Sequence, residues 1–239
     1  MALERTPLPR TAEAIAAAEL RDAIIRGDLA PGAKIRQEAT AQQLGISLIP
    51  VREALKTLAG EGLITYHAQR GYFVTELPAT AITEIYVVRD LLERETEQQA
   101  TPNLTAEHLA AMRTHLRDQA RAVENQDAVE MIATNRRFHF TIFDRCDNAW
   151  LRRFVTQLWD TLDPYRVLSY RRMWLEDPER HVPLQILDEH ERILTTLEHN
   201  DPKTALKLLE QHRNRSETFL RVLVDPPADQ TQQREPATT

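Results

Sequence analysis

The sequence predicts a mostly α-helical protein with an N-terminal winged helix-turn-helix and a C-terminal bundle of about six helices. Short helical segments come first, and two segments rich in β-branched and aromatic residues, at 63–66 and 72–75, follow them as the strands of a hairpin. From about residue 79 onwards, apolar residues recur only with helical spacing. Pro78 separates the two patterns and marks a linker between two domains.

Three helices are predicted before the hairpin. The first covers residues 11–26 and stops at Gly27. The second covers residues 37–44, and Gly45 supplies the left-handed residue that closes many helices. Ser47 is then the expected N-cap of the third helix. Three helices followed by a hairpin form a winged helix-turn-helix, in which the third helix enters the DNA groove.

The chain beyond Pro78 predicts helices only. Thr105, Asp127, Asn148 and Asp201 are residues of the N-cap type, and each precedes one of these helices. The six predicted helices cover residues 79–100, 105–125, 127–146, 148–175, 178–199 and 202–224.

The domain boundaries follow from these elements. We expect a DNA-binding domain at 11–77 and a ligand-sensing and dimerisation domain at 78–224. An N-terminal arm at 1–10 precedes them. Residues 225–239 are predicted to be a disordered tail, because they contain too few apolar residues to build a core.

Composition narrows the class of protein. The chain has 239 residues, of which 42% are hydrophobic, enough for two packed cores. No apolar run is long enough to span a membrane, and no apolar signal core follows the N-terminus. The single cysteine, Cys146, excludes an internal disulfide framework. We therefore expect a soluble cytoplasmic protein.

The charge distribution bears on DNA binding. The net charge is −6, yet residues 1–78 carry nine basic and nine acidic residues and are neutral. The excess of acid therefore lies entirely in the second domain. A neutral DNA-binding segment requires local clusters of positive charge, and it depends on a dimer for affinity.

The third helix and the hairpin tip carry candidate DNA contacts. Arg52 and Lys56 lie one turn apart on the outward face, together with Ile49 and Glu53. Arginine on such a face reads guanine or binds phosphate in the major groove. An ordinary solvated helix would show the same charges, so the pattern alone leaves both interpretations open. At the hairpin tip, the residues able to reach a groove or the backbone are His67, Gln69 and Arg70.

Residues 20–75 resemble the GntR family of regulators over nearly their whole length. The resemblance rests on Gly27-x-Leu29-x-Pro31-Gly32, Glu38-x-x-Ala41-x-x-Leu44-Gly45-Ile46-Ser47, Pro50-Val51-Arg52-Glu53-Ala54-Leu55, Leu58, Glu61-Gly62-Leu63-Ile64 and Gly71-Tyr72-Phe73-Val74. It implies that double-stranded operator DNA is the partner and that Ser47 lies in the contact region. The family usually follows this serine with Arg-Thr, where this chain has Leu48-Ile49. Apolar side chains there contact a thymine methyl group instead of polar DNA atoms.

Three histidines of the second domain are predicted to point inward from three helices. His139, His190 and His212 each fall within an apolar stripe, and Asn135 lies one turn before His139 on the same face. A buried imidazole requires a partner. A shared divalent metal would satisfy all three, and zinc and nickel suit imidazole. Separate hydrogen bonds in a core network are the other interpretation.

The helical part also resembles, over residues 80–222, the FCD domain of FadR-type regulators in its shorter, VanR-like form. Metal-binding members carry an acidic residue one turn before a histidine and two further histidines on later helices. The resemblance maps this set onto Asn135, His139, His190 and His212. Asn135 replaces the usual aspartate with a weaker, neutral ligand, so either metal affinity is lower or an anionic effector completes the shell.

Arg89 is the candidate ligand-binding residue. It lies on an inward stripe, and the family often places an arginine at this point of an Arg-x-x-Leu-Glu pattern. Glu93, four residues later, is the ordinary structural partner. The functional interpretation is a clamp for a small carboxylic acid, because a guanidinium group matches carboxylate geometry.

These expectations combine into a homodimeric regulator, predicted to be a repressor, that binds a pseudo-palindromic operator and responds to an organic acid. Three alternatives remain at this stage. The first is a metalloregulator that senses the ion itself. The second, a metal-dependent hydrolase, would need a general base, and the sequence has no HExxH motif. The third is a dimeric DNA-binding protein with a dry helical core.

Overall fold

The computed structural model describes residues 11–176 and 181–224, and it divides the chain into two compact units between Glu76 and Leu77. The predicted arm at 1–10 and tail at 225–239 lie outside the described residues. The predicted fold class is confirmed, because both units are mainly helical and only the first contains a small sheet among the described residues.

The first unit is a winged helix-turn-helix. Leu55 and Leu58 of its third helix are fully buried beneath the sheet and the first helix, as the helical phase predicted. The three strands are antiparallel in the order β1-β3-β2, and β2 and β3 form the wing. The elements are α1 (Ala12–Ile25), β1 (Lys34–Ile35), α2 (Gln37–Leu44), α3 (Leu48–Gly60), β2 (Ile64–His67) and β3 (Gly71–Val74).

The turn between α2 and α3 agrees with the sequence at one residue and differs at the next. Gly45 adopts φ 66°, the left-handed conformation expected of a C-cap glycine. Ser47 occupies the N-cap position of α3, but its side chain makes no capping hydrogen bond. The predicted capping role of Ser47 is therefore wrong in its side-chain part. Ser47 is exposed.

Strand β1 was not predicted. It has only two residues, Lys34 and Ile35, which pair with Phe73 and Tyr72 of β3. A two-residue strand is too short to show alternation, and it forms because the turn at Pro31-Gly32 returns the chain to the edge of the wing.

Within the described residues the second unit contains six α-helices, as the sequence predicted, and residues 178–180 of the predicted fifth helix lie outside the described residues. Asp127, Asn148 and Asp201 each accept a backbone hydrogen bond at the start of a helix, and Thr105 forms a capping box with His108. No described helix is long and apolar enough to cross a membrane. The helices are α4 (Ala79–Ala100), α5 (Ala106–Glu124), α6 (Ala128–Phe143), α7 (Ala149–Glu176), α8 (His181–Glu198) and α9 (Pro202–Val224).

The packing of these helices positions the site. α6 packs against both α5 and α7, while α9 packs against α4 and α8. A short 3-10 helix, Thr101–Asn103, connects α4 to α5. The largest apolar cluster joins α5, α6, α8 and α9 and includes Phe138, Ile142 and Ile193. The inward faces of α6, α8 and α9 therefore meet at the centre of the bundle, where the three predicted histidines lie.

Candidate metal centre and nucleic-acid interface

His139, His190 and His212 meet in the interior of the second unit. Their ring nitrogens lie within 4.8 Å of one another, and all three side chains are buried. Nε2 of His190 lies 3.2 Å from Nε2 of His139 and 3.3 Å from Nε2 of His212. The inward orientation predicted from helical phase is confirmed for all three, and the helices bring the same nitrogen of each ring to one point.

Two of these rings are oriented by oxygen acceptors on their far side. Nδ1 of His190 lies 2.7 Å from Oε1 of Gln119, and Nδ1 of His212 lies 2.7 Å from Oε2 of Glu189. Each Nδ1 therefore carries the hydrogen and donates it. A neutral imidazole then has its lone pair on Nε2, the atom that faces the other histidines. Such outer partners fix the tautomer of metal-binding histidines.

The three rings are neutral at neutral pH. Burial lowers the pKa of His139 and His190 well below the usual value, and the neighbouring histidines lower both pKa values further. Burial also lowers the pKa of His212 to about 3, with a further contribution from the positive charge of Arg166. Each neutral ring carries one hydrogen, and the two rings whose Nδ1 donates, His190 and His212, present the lone pair of Nε2 towards the other histidines.

A divalent cation fits this set of donors. Two nitrogens bound to one tetrahedral zinc ion at about 2.0–2.1 Å lie about 3.3–3.4 Å apart. The Nε2 separations of 3.2 and 3.3 Å agree with this value. The donors are neutral imidazoles, which suit zinc, nickel and copper. The three histidines thus have the donor chemistry of a site for one divalent ion, with two of the three nitrogen separations at the expected value and the third within 4.8 Å.

A cavity opens beside the histidines and contains the other predicted site residues. Its volume is about 40 Å³. Asn135, His139 and His212 line it, and so does Arg89 from α4. Asn135 is itself buried. The structure therefore brings the predicted ligand-binding arginine to the same cavity as three of the four predicted metal ligands, and the fourth, His190, does not line it.

Arg89 forms the ion pair with Glu93 that the sequence indicated, and one of its nitrogens makes no hydrogen bond within the described residues. Its Nε donates to Oε1 of Glu93 at 2.6 Å, and its guanidinium lies over the rings of Tyr86 and Trp159. Its Nη1 is buried and has no hydrogen-bond partner within the part of the chain that the structure describes. A buried donor without a partner costs free energy, so Nη1 is a candidate contact for a ligand.

Around Arg89 lies a buried network of charged groups. Arg213 donates through Nη1 to Glu93 at 3.2 Å and to Glu97 at 3.0 Å, and its other nitrogens bind Asp90. Burial would raise the pKa of Glu93, but Arg89 and Arg213 outweigh it and lower that pKa. Burial raises the pKa of Glu97 to about 8 against the attraction of Arg213. Glu97 is therefore the carboxyl that holds a proton near neutral pH.

Sequence reasoning missed several residues of the site. Glu97 lies one turn after Glu93, and Gln119 lies one turn after the buried Leu116, so the helical phase of both was a usable signal. Glu189, Arg166 and Arg213 gave no such signal. Their contacts join different helices or involve residues at the edge of an apolar stripe, and only packing reveals them.

The candidate DNA-reading surface lies on α3. Ile49 is 73% exposed, whereas Leu48 is half-buried against the core of the winged helix-turn-helix. Arg52 is exposed, and its Nε donates to Oε1 of Gln37 on α2 at 3.1 Å, which steadies the guanidinium on the helix-turn-helix surface. Lys56 is exposed and forms an ion pair with Glu53 at 2.7 Å.

The wing presents the other predicted contacts. His67, Gln69 and Arg70 are all exposed at its tip, and Gln69 adopts φ 62° in the tight turn. Arg70 and Lys34 both lie over the ring of Phe73. This arrangement gathers positive charge on the wing of a segment whose net charge is zero.

The fold is that of a winged helix-turn-helix followed by a separate helical domain, and comparison with known proteins agrees with it. Residues 12–74 match the gntR family of bacterial regulatory proteins, and residues 84–215 match the FCD domain. The chain therefore belongs to the GntR family of transcriptional regulators with a C-terminal FCD domain. It binds DNA through the winged helix-turn-helix, as the other family members do.

Several relatives support this assignment over most of the chain. The regulator YdhC of Bacillus subtilis is 27% identical over 82% of this chain and 85% of its own length. McbR of Escherichia coli is 32% identical over 61% of this chain and 66% of its own length. The structure of E. coli McbR/YncC superposes with a TM-score of 0.75 at 25% identity and covers 88% of this chain and 97% of that one. YdhC and McbR are both HTH-type transcriptional regulators by name.

Proposed function

We propose that the protein is a ligand-responsive repressor whose helical domain binds a small organic acid at a divalent metal ion. The observation that carries this proposal is the convergence of three neutral histidine nitrogens beside a cavity that Arg89 also lines, with Nη1 of Arg89 unpaired within the described residues. The gluconate operon repressor of B. subtilis, 29% identical over 82% of this chain, acts on an operon named for an organic acid. That likeness supports the acid as the class of effector.

In this proposal His139, His190 and His212 hold the metal, with zinc or nickel as the ion. Asn135 adds a weak neutral oxygen, in keeping with its position one turn before His139 and on the same cavity. The bound ion supplies a positive charge that attracts the carboxylate of an effector. Arg89 binds a second oxygen of that carboxylate through Nη1, which gains the partner it otherwise lacks.

DNA binding is assigned to the exposed residues of α3 and the wing. Arg52 and Lys56 bind bases or phosphates in the major groove, and Ile49 provides an apolar contact. Leu48 contributes indirectly, because it packs beneath the reading surface and positions its neighbour. The full proposed set is Ser47, Leu48, Ile49, Arg52, Lys56, His67, Gln69 and Arg70.

We also propose that the protein acts as a homodimer in the cytoplasm, where its operator DNA lies. Large apolar side chains are exposed on α4 and on α7, which pack against each other. They are Val87, Val88 and Leu91 of α4 and Trp150 and Phe154 of α7. Apolar side chains grouped in this way are typical of subunit interfaces. Two reading heads then bind the two half-sites of a pseudo-palindrome, and the effector changes the affinity of the pair for DNA.

The test is a fluorescence anisotropy assay on a duplex that the protein itself selects from random DNA. Arg52→Ala is expected to weaken binding by about 1–3 kcal/mol, since a bidentate arginine contributes that much. Exposed Arg117 on α5 provides the matched control, Arg117→Ala, and should bind as the wild type does. Unchanged affinity in Arg52→Ala would contradict the assignment of α3.

The same assay separates the proposed sensor of acids from a metalloregulator. If the ion is a resident cofactor, DNA affinity should stay constant as free zinc is varied and should fall only when an organic acid is added. DNA release by the ion alone, at free zinc concentrations found in cells, would show instead that the metal is the signal.

A further inference from the structure

We infer that Gln37 is a positioning residue for DNA recognition, because it holds Arg52 so that the guanidinium binds one guanine through its two terminal nitrogens. Gln37 therefore contributes to sequence specificity although it lies outside the third helix. This inference rests on the proposed function, since it requires Arg52 to contact the operator. The hydrogen bond between the two side chains carries it, together with the place of Gln37 in the fold.

The geometry of the guanidinium group limits how Arg52 can bind DNA. Its five N–H donors lie in one plane, with Nε at one side and Nη1 and Nη2 at the end. Nε donates to Oε1 of Gln37 at 3.1 Å, and the Arg52 side chain makes no other hydrogen bond or ion pair within the described residues. The two terminal nitrogens are therefore the donors that remain. Such a pair matches O6 and N7 of guanine, the base that presents two acceptors side by side in the major groove.

The partner of Arg52 is a neutral amide, whereas other cations of the first unit have acidic partners. Arg21 pairs with the carboxylate of Glu61 at 2.5 Å, and Lys56 pairs with that of Glu53 at 2.7 Å. An amide oxygen orients a guanidinium group without neutralising it, so Arg52 keeps its full charge for binding next to phosphates. The hydrogen bond also restricts the side chain before DNA binds, and this lowers the entropy cost of binding.

The fold explains how Gln37 can hold an exposed side chain in place. Gln37 is the first residue of α2 and is half-buried, whereas Arg52 is exposed on α3. Ala41 follows Gln37 by one turn on the same face of α2 and is buried in the core together with Val51 and Leu55 of α3. The packed pair of helices therefore fixes the position of the acceptor, and the guanidinium of Arg52 extends from it at the surface.

The experiment is a base-pair substitution scan of the duplex that the full-length wild-type protein selects, with each dissociation constant measured by fluorescence anisotropy. In the wild type, replacing the guanine bound by Arg52 should raise the dissociation constant about tenfold, and in Arg52→Ala this dependence should disappear. Gln37→Leu removes the acceptor and should reduce the discrimination at this one base pair about threefold to tenfold. Gln37→Glu retains an acceptor oxygen and should keep the discrimination, while its negative charge weakens binding to every duplex. Gln43→Leu, at an exposed position on the same helix, is the matched control and should give the wild-type scan.

The pattern of the scan decides between the outcomes. Discrimination that is reduced at one G·C pair in Gln37→Leu and retained in Gln37→Glu supports the inference. A Gln37→Leu scan identical to that of Gln43→Leu would overturn it, and so would an equal loss of affinity for every duplex, because a phosphate contact acts on all sequences alike. In both cases the dependence on Arg52 would remain, and the proposed reading surface with it. Dissociation constants that Arg52→Ala leaves unchanged would show instead that the proposed surface on α3 is wrong, and the inference would fall with it.

Discussion

The two units of this protein use their polar residues in opposite ways. In the DNA-reading unit, the buried side chains that the structure describes are all apolar, and Arg52, Lys56 and Arg70 face outward. In the helical second unit, buried apolar residues surround buried polar or charged side chains, of which sixteen lie among the described residues, from Arg89 to Arg213. The winged helix-turn-helix is thus stabilised by an apolar core. The second unit contains buried polar groups, which cost free energy unless they are fully paired.

This difference indicates which polar residues, exposed or buried, are expected to determine specificity in each unit. DNA is a large polyanion met at the surface, so the residues that read it gain by staying hydrated and mobile until they bind. In the proposed function a small acid is enclosed within the helical unit, and the groups proposed to recognise it gain by being fixed in place before it binds. The buried network around Glu93 restrains the surrounding charged side chains, and the hydrogen bonds to Nδ1 of His190 and His212 restrain the two rings.

The largest effect should come from removing one buried charge. Arg213→Met leaves Glu93 and Glu97 with a single guanidinium neighbour, Arg89, and is expected to lower the free energy of unfolding by about 3–5 kcal/mol. Lys56→Met removes the exposed partner of Glu53 in the reading unit and should produce no measurable change. Urea unfolding followed by circular dichroism measures both. Equal small effects would show that the buried network does not stabilise the sensor.

The next effect depends on pH and involves Glu97. Its folded-state pKa of about 8 lies above its usual value of 4.5, because burial and Glu93 outweigh Arg213. The folded state therefore holds the proton more tightly, and this contribution to stability is complete below pH 4.5 and is lost as the pH rises towards 8. Glu97→Gln has no carboxyl group to titrate at this position, so it does not lose this contribution. The free energy of unfolding of the variant, relative to that of wild type, should therefore increase by a few kcal/mol between pH 4.5 and 8. A difference between variant and wild type that is constant with pH would contradict the raised pKa.

A smaller effect is expected in metal affinity. Gln119→Leu removes the acceptor for Nδ1 of His190 and should weaken metal binding about 10–100-fold without removing a ligand. A competition titration against a chromophoric chelator measures this change. Gln98→Leu, at an exposed position on α4, is the control and should match the wild type. Metal affinity that is the same in both variants would show that Gln119 does not orient the ring.

The smallest predicted effect concerns one methyl group of the DNA. Ile49 is exposed on α3, and Leu48 is not, so Ile49 is the residue expected to contact a thymine methyl. In a selected duplex, replacing that thymine with uracil should cost about 0.8 kcal/mol in wild type and nothing in Ile49→Ala. Scanning each thymine by anisotropy locates the position. A scan in which no thymine shows this dependence on Ile49 would exclude the contact.

Much of the fold and part of the site follow from the sequence because helical phase is a local property. His139, His190 and His212 were placed inward by the apolar residues of their own helices, and the bundle then brought them together. The capping residues Asp127 and Asp201 were predictable for the same reason, since a cap depends on a few adjacent positions.

The rest depends on contacts between distant segments. Arg213 finds its partners on α4, more than one hundred residues earlier, and nothing near position 213 indicates them. Glu189 is adjacent to His190 in sequence but accepts a hydrogen bond from His212, because α8 packs against α9. The strand Lys34–Ile35 likewise exists only because β3 lies beside it.

The central claim is that the three histidines hold a metal, and elemental mass spectrometry tests it most directly. Tag-free protein purified without chelators should contain about one divalent ion per chain, as expected of a three-histidine site. His190→Ala should lose that ion, and His199→Ala, at an exposed position on the turn after α8, should retain it. Wild-type protein that binds no metal after incubation with zinc or nickel would contradict the account and leave the histidines as a polar core network.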